Sequence, residues 1–320
     1  MYVAHCPLRI SLFGGSTDSP YFIQDHGYGS VISFASTLKT YVTVNTDLFG
    51  VTSQDHKYRL NYSKREDVSS ISEIKNDVIR TVLKYFNVGP LQINLLGDIY
   101  SQGSGLATSS SYTISLIKAI SMCTGRDDMS PSEICHLAYD LERFYNQYCG
   151  MQDPYGCGVG GFKRMEFYEQ RDAGNVCKYT FYPSNFFSIC EMHLIFTGVT
   201  RNSKPVLENI THNFDKVAEL LPIVDEAHNA ISAGRWKKVL ELVNESWEIK
   251  KKTSSIITEN ETIQEMDKEL SSNETVLAHK LCGAGNGGFF LVFSEKQQLK
   301  VPYHTVKIDV SSDGVIGREV

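Results

Sequence analysis

Gly103-Ser104-Gly105-Leu106-Ala107-Thr108-Ser109-Ser110-Ser111 decides how the rest of this chain is read. It follows a strand-like run, Leu91-Gln92-Ile93-Asn94-Leu95-Leu96, and precedes a segment in which Tyr112, Leu116, Ile117 and Ile120 share one face at the helical period. Two glycines let the backbone approach a ligand closely, and small hydroxyl residues fall where the first helical turn begins. The first N–H groups of a helix lack internal partners and carry partial positive charge, so that end attracts an anion. The stretch reads as a phosphate cradle with hydroxyls able to reach a metal ion. The same residues would also make an ordinary Gly/Ser turn with a serine N-cap.

With 320 residues the chain is long enough for two domains and a sizeable core. A net charge of −6 argues against a nucleic-acid or anionic-membrane surface, which needs a basic excess, but permits a local basic pocket. Cysteines stand at 6, 123, 135, 149, 157, 177, 190 and 282, without CxxC or zinc spacing, as small buried hydrophobes of a reducing cytoplasm do. The segment Met1–Pro7 has no charged-then-apolar leader pattern, and no apolar run approaches the ~20 residues of a membrane span. The expected setting is the cytoplasm, with no nucleic-acid or membrane partner.

Upstream, Arg9 and Ser11 alternate with Leu8, Ile10 and Leu12, a strand pattern that stops at Gly14-Gly15. Thr17 and Asp18 then fall in a turn where a ligand could reach them, although Asp-Ser-Pro is a good turn on its own account. Further strands are expected at Ser30–Ala35 and Thr40–Asn45, a polar excursion over Gln54–Ser70, and an amphipathic helix from Ile74 to Phe86. Ser130-Pro131-Ser132-Glu133 carries a capping-box pattern, opening a helix whose buried face holds Ile134, Leu137, Ala138, Leu141, Tyr145 and Tyr148. Glu142 borders that face, and Asp153 follows in a glycine-rich loop. Each alone would be an ordinary solvated carboxylate, and only convergence on one site would make them functional. A hairpin over Phe162–Tyr182 closes a first domain, 1–182. The second, 183–320, begins with a strand at His193–Thr197 and continues with helical periods at Val206–Leu221, Ile223–Ala233 and Trp236–Lys252. It ends with buried Phe289–Phe293 and a strand at Thr305–Val310.

Two glycine runs satisfy G-x-G-x-x-G, at Gly156/Gly158/Gly161 and Gly283/Gly285/Gly288, but neither opens a helix after a strand in a βαβ unit, which excludes a dinucleotide fingerprint. There is no G-x-x-x-x-G-K-[ST], and the protein-kinase H-R-D, D-F-G and A-P-E elements are missing. What remains, in order, is a basic strand end with Gly-Gly-x-Thr-Asp, the central loop, and a late Gly-Ala-Gly-x-Gly-Gly turn. In these three motifs the chain resembles the GHMP kinases over nearly its full length. Within that superfamily, Arg9–Asp18, Ala138–Arg143, Gly150–Asp153, Thr197-Gly198 with Arg201, and Glu245–Lys250 are most similar to sugar kinases acting on D-glycero-D-manno-heptose 7-phosphate.

The resemblance implies an α+β, two-domain GHMP kinase fold, with a ribosomal S5 domain 2-like nucleotide-binding domain followed by a ferredoxin-like domain. It places ATP phosphates on Gly103, Ser104, Gly105, Leu106, Ala107, Thr108 and Ser109, supported by Gly283 and Gly285. Mg²⁺ falls to Ser109 and Glu142, and catalysis to Asp153 with Arg9 as its basic partner. The sugar phosphate falls to Gly15, Ser16, Thr17, Asp18 and Arg201, with Lys250 a further cation for the remote phosphate, and the adenine contacts are expected around residues 40–80. The implied reaction moves the γ-phosphate to the anomeric C1 hydroxyl, giving a 1,7-bisphosphate for nucleotide-heptose and surface-polysaccharide synthesis. The alternatives are a kinase for another sugar or sugar phosphate, and a non-catalytic sensor on the same fold. A homodimer is compatible with all three.

Elementary chemistry agrees with these roles. Phosphoryl transfer needs positioning and charge neutralisation above all. Mg²⁺ keeps most of its waters, so one hydroxyl and one carboxylate suffice. An arginine keeps a neighbouring carboxylate ionised and able to take a hydroxyl proton. The chain departs from the family wording at Ala107-Thr108, where Gly-Ser is common, at Ser16, where a third glycine is common, and at Pro154 and Asn286.

Overall fold

The computed structural model describes residues 1–46, 57–99, 103–169, 176–200 and 203–320. In chain order it contains β1 (Tyr2–Phe13), α1 (Pro20–His26), β2 (Tyr28–Thr46), β3 (Tyr58–Asn61), β4 (Arg65–Val68), α2 (Asp77–Phe86), β5 (Leu91–Gly97), α3 (Thr108–Cys123), α4 (Pro131–Arg143), α5 (Gln152–Gly158), β6 (Phe162–Tyr168) and β7 (Val176–Tyr182). There follow β8 (Glu191–Phe196), α6 (Ser203–Ile210), α7 (Phe214–Ala218), α8 (Leu220–Ser232), α9 (Trp236–Thr253), α10 (Glu261–Ser272), β9 (Ala278–Leu281), β10 (Phe289–Ser294), β11 (Thr305–Ile308) and β12 (Ile316–Glu319).

The strands form two sheets. The larger runs β12-β1-β2-β5-β3-β4, with β6 and β7 branching from β2. The smaller runs β11-β8-β10-β9 with every neighbour antiparallel, which is the 4-1-3-2 order of a ferredoxin-like sheet when its strands are counted in chain order. The two strands expected at Ser30–Ala35 and Thr40–Asn45 are one long ribbon, β2, which pairs with β1, β5 and β6 along its length. The register of β1 on β2 shifts between Pro7 and Arg9 and again between Ser11 and Phe13. Such irregularities re-aim side chains, and here they bracket Arg9 and Ser11.

Three apolar clusters hold these layers. One packs Val42, Leu83, Ile117 and Leu141 between the large sheet and α2, α3 and α4. A second lies between the two sheets, where Leu8, Ile10 and Phe34 meet Val224, Leu242 and Leu291. A third covers the other side of the small sheet with Trp247, Ile263, Leu270 and Phe290. Because β1 is covered on both faces, it is buried almost without alternation from Leu8 to Phe13.

Helix α4 begins as expected: Ser130 accepts from the Glu133 amide and the Glu133 carboxylate accepts from the Ser130 amide. Elsewhere the elements differ from the sequence pattern. The period over Val206–Leu221 is broken into α6 and α7, and the loop around Asp153 is a short helix, α5. The polar excursion contains the β3–β4 hairpin. Strand β12 pairs with β1, and the Ser311 amide donates to the Ala35 carbonyl, so the last stretch of the chain returns to the first sheet. A division at 182/183 therefore separates the two sheets only until about residue 310.

Candidate active site

The loop before α3 is built from left-handed backbone. Gly103, Gly105 and Ala107 have φ of 74°, 78° and 59°. The residue preceding α3 is Ala107, and no side chain caps the helix, so the alternative of a turn with a serine N-cap is not realised and the first-turn amides are not occupied by a hydroxyl. A left-handed alanine costs about 1–2 kcal/mol, so glycine would suit this position better. Ser104 and Thr108 tighten the loop by sharing a hydrogen bond of 2.7 Å, and the Ser104 hydroxyl also accepts from the Leu106 amide. Leu106 itself is fully buried in the core between the sheets, so it anchors the loop and offers a ligand only backbone.

The late glycine turn lies directly behind this loop. A Cβ on Gly105 would come 2.5 Å from the Cys282 carbonyl oxygen, and one on Gly288 would come 2.3 Å from that of Ser104. Backbone presses on backbone, and a side chain on either partner would push the cradle out of shape. Gly283 and Gly285, both with positive φ, shape the same turn.

Arg9 connects the cradle to the chemistry. Its amide donates to the Leu106 carbonyl at 3.2 Å, and Nη1 donates to that of Gly105 at 3.0 Å. Nε and Nη2 both donate to Oδ1 of Asp153, at 3.0 and 2.5 Å. Arg9 is buried, whereas the Asp153 side chain is 35% exposed toward the cleft. Oδ2 of Asp153 makes no hydrogen bond among the described residues and is the oxygen available to a ligand. Asp153 stands in the first turn of α5, and the helix can pass this close because Gly156 lies over Arg9, whose Cβ and Cγ would be 3.1 Å from an added methyl.

Asp18 is held on three sides. Oδ1 accepts from the Ser16 amide at 3.1 Å and from Nε2 of Gln152 at 2.8 Å, while Oδ2 accepts from the Gln152 amide at 2.9 Å. Burial pushes its carboxyl up to about 6 in spite of these bonds, and the nearby Asp153 charge adds to the shift. Gly15 and Ser16 line the same cleft, with Ser16 in a left-handed conformation (φ 82°) that favours glycine. Thr17 does not belong to the binding surface. Its hydroxyl is fully buried, lies 2.8 and 2.9 Å from the Gly14 and Ser30 carbonyl oxygens, and accepts from the Ser30 amide at 3.0 Å.

Glu142 is buried rather than solvated, at 4% exposure. Burial raises its carboxyl to about 8, opposed by the Ser110 hydroxyl, which donates to Oε2 at 2.8 Å. The hydroxyl bonded to this carboxylate belongs to Ser110, while Ser109, expected to share a metal ion with Glu142, is exposed in the cleft one residue earlier. Oε1 of Glu142 is buried without a hydrogen-bond partner. An orphaned carboxylate oxygen close to serine hydroxyls is a hard-oxygen donor set that fits Mg²⁺. Among the described residues no group of three or more His, Cys, Asp or Glu could hold a metal, so the residues fit an ion that retains most of its waters.

Arg9, Asp18, Ser109, Glu142 and Asp153 therefore converge on one cleft of about 210 Å³. A second cleft of about 450 Å³, lined by Tyr62, Asn76, Leu95 and Tyr112, shares Gly103, Thr108 and Ser109 with the first. Part of its lining lies in the 40–80 region expected to hold the adenine, although residues 47–56 fall outside the described ones. Arg201 also lies outside the described residues. Sequence reasoning overlooked Gln152, which clamps Asp18 and lines the cleft, and Lys280, which lines it from β9. The available signal for Lys280 was a lysine inside a short apolar strand just before a glycine turn.

Residues 73–161 match the family described as GHMP kinases N terminal domain. The D-glycero-alpha-D-manno-heptose 7-phosphate kinase of Campylobacter jejuni subsp. jejuni serotype O:2 is 29% identical over 307 residues, spanning 90% of this chain and 87% of that protein. A crystal structure of a D-glycero-D-manno-heptose 1-phosphate kinase from Bacteriodes thetaiotaomicron superposes with a TM-score of 0.75 at 18% identity, covering 100% of this chain and 99% of the other. Streptococcus pneumoniae phosphomevalonate kinase gives 0.72 at 14% identity, covering 93% of each chain. These superpositions show the α+β fold. No helix among the described residues is long and apolar enough to cross a membrane.

Proposed function

We propose that the chain is a GHMP kinase, an ATP-dependent sugar kinase of the cytoplasm that phosphorylates the anomeric hydroxyl of D-glycero-D-manno-heptose 7-phosphate, giving the 1,7-bisphosphate. The choice of sugar is supported by the named Campylobacter relative. The chemistry is supported by one observation above the others: Asp153 lines the cleft beside the phosphate cradle and is gripped by Arg9 through Oδ1 alone, which leaves Oδ2 without a hydrogen bond among the described residues.

In this reading Oδ2 receives the hydrogen bond of the acceptor hydroxyl and takes or polarises its proton as the oxygen attacks phosphorus. Arg9 orients the carboxylate and balances its charge. The amides at the start of α3 and the left-handed loop hold the phosphates, while Asp18 and Gln152 orient the sugar. Ser109, Ser110 and Glu142 would hold Mg²⁺, which neutralises phosphate charge when bound. Most of the rate then comes from placement and electrostatics.

The test is ADP release measured against a panel of sugars and sugar phosphates, with Asp153→Asn alongside. Turnover on the heptose 7-phosphate that disappears in the variant is the expected result. ATP binding without turnover of any sugar would sink the reading, and turnover only on a different sugar phosphate would correct the substrate.

A further inference from the structure

The cleft holds a buried lysine, Lys280, to which the roles above give no part. Lys280, on β9, is 4% exposed, lines the cleft, and donates from Nζ to the carbonyl oxygen of Leu12 across the boundary between the two sheets. Lys250, on α9, also lines it and donates to the Gly283 carbonyl. The Cys282 thiol, fully buried behind the phosphate cradle, lies within electrostatic reach of Lys280, Arg9 and Lys250 together. Three cations of the cleft lining therefore act on one buried thiol behind the cradle.

Their charges are unequally balanced. Arg9 has Asp153. Among the described residues, the groups acting electrostatically on Lys280 are the Cys282 thiol and Arg9, the latter a repulsion, with no carboxylate among them. An ammonium buried with a carbonyl oxygen as its acceptor is costly, and packing alone would favour leucine or methionine in such a strand. The cost falls if an anion occupies the cleft. The position also suits one: Leu12 leads into the Gly14–Ser16 turn on the sugar side, while Cys282-Gly283 backs Gly105 on the nucleotide side.

We infer that Lys280, assisted by Lys250, forms a seat for a phosphate-monoester anion at the floor of the cleft. Two groups of this chemistry would reach it, the phosphate already carried by the sugar and the phosphoryl group in transfer from ATP. That identification rests on the kinase reading, but the seat itself does not.

The experiment uses the full chain, Lys280→Met and Lys250→Met, with inorganic phosphate as the first probe. Phosphate raises the melting temperature of the unaltered protein by mass action, and the rise is expected to shrink markedly in Lys280→Met. No rise in the unaltered protein, or an equal rise in a folded Lys280→Met, overturns the seat, whatever sugar the enzyme uses. Lys250→Met gives an independent reading should Lys280→Met fail to fold, and an undiminished rise there then overturns the inference. Steady-state kinetics separate the sources. A rise of about tenfold or more in KM for the phosphorylated sugar, with KM for ATP and for an unphosphorylated sugar unchanged, assigns the seat to the sugar's phosphate. A comparable fall in kcat with both KM values unchanged assigns it to the transferring group. Kinetic constants all within twofold of the unaltered protein count against both.

Discussion

Arg9 and Asp153 meet through a single carboxylate oxygen: Nε and Nη2 of the arginine both lie on Oδ1, while the aspartate side chain, 35% exposed, lines the cleft. A side-on pair of this kind fixes the carboxylate without consuming it. Asp153→Asn is expected to lower kcat by about 10²–10⁴-fold with little change in KM for ATP, the range for loss of a positioned base. Arg9→Met should also lower kcat, and it should raise KM for ATP as well, because Nη1 holds the Gly105 carbonyl of the cradle. Coupled ADP-release kinetics on the two variants check both expectations. A change in KM for ATP alone in Arg9→Met would mean that the pair is structural.

Gly150 is fixed by Asp18. A methyl added there would come 1.9 Å from Asp18 Oδ2, closer than any real contact. Gly150→Ala should displace Asp18 and weaken sugar binding about tenfold or more while leaving ATP binding within about twofold, since the cradle is made by other elements. Calorimetric titration with each ligand separately is the measurement.

Asp18 sets an acid limb. Its folded carboxyl is raised to about 6 from the ordinary 3.8. If the ionised form receives sugar hydroxyls, kcat/KM for the sugar rises with pH through about 6 and then levels, while ATP affinity stays flat. The sign for stability is opposite. The folded state binds the proton more readily than the unfolded chain between about 4 and 6, so this residue's contribution to stability falls as pH rises through that window and is constant above it. Kinetics and thermal melts over pH 5–8 read the two trends, and a flat sugar profile would remove Asp18 from the binding surface.

Ala107 carries strain that glycine would relieve. With φ at 59° it occupies a conformation costing about 1–2 kcal/mol for an alanine. Ala107→Gly should gain up to about 1 kcal/mol, the relief being partly offset by the greater freedom of an unfolded glycine, with KM for ATP held within about twofold. Ala107→Val should lose both stability and ATP affinity. Melting curves and ATP titrations on the pair decide.

The parts of the site visible in sequence were those encoded locally. The Gly103–Ser111 loop, the Gly14-Gly15 strand end and the Gly283 turn each display their backbone requirement in their own residues. The parts that were not visible depend on contacts between distant segments. Helix α5 looks like a loop because its glycines are there for neighbours: Gly156 for Arg9, and Gly158 for Cys135, whose sulfur would lie 2.3 Å from an added methyl. Tertiary fit overrides the poor helix propensity of glycine. Glu142 looked solvated because nothing in its own helix reports the Ser110 hydroxyl and the roof of α3 and α5 above it. Thr17 looked like a ligand residue because its turn is polar, yet its hydroxyl is consumed by Gly14 and Ser30. The long β2 ribbon and the return of β12 to β1 are matters of pairing, and periodicity cannot register them.

The pressing of Cys282 and Gly288 against Gly105 and Ser104 has a consequence for how the protein acquires its activity. The shape of the nucleotide cradle is completed by residues near the other end of the chain, so it cannot be assembled by the first sheet and its helices alone. Closing so long a loop belongs late in folding. ATP binding thereby becomes a reporter of the whole fold, and a folding intermediate with only its first sheet in place would be blind to nucleotide. Damage far out in the second sheet would first be felt as a loss of affinity for a ligand that it never touches.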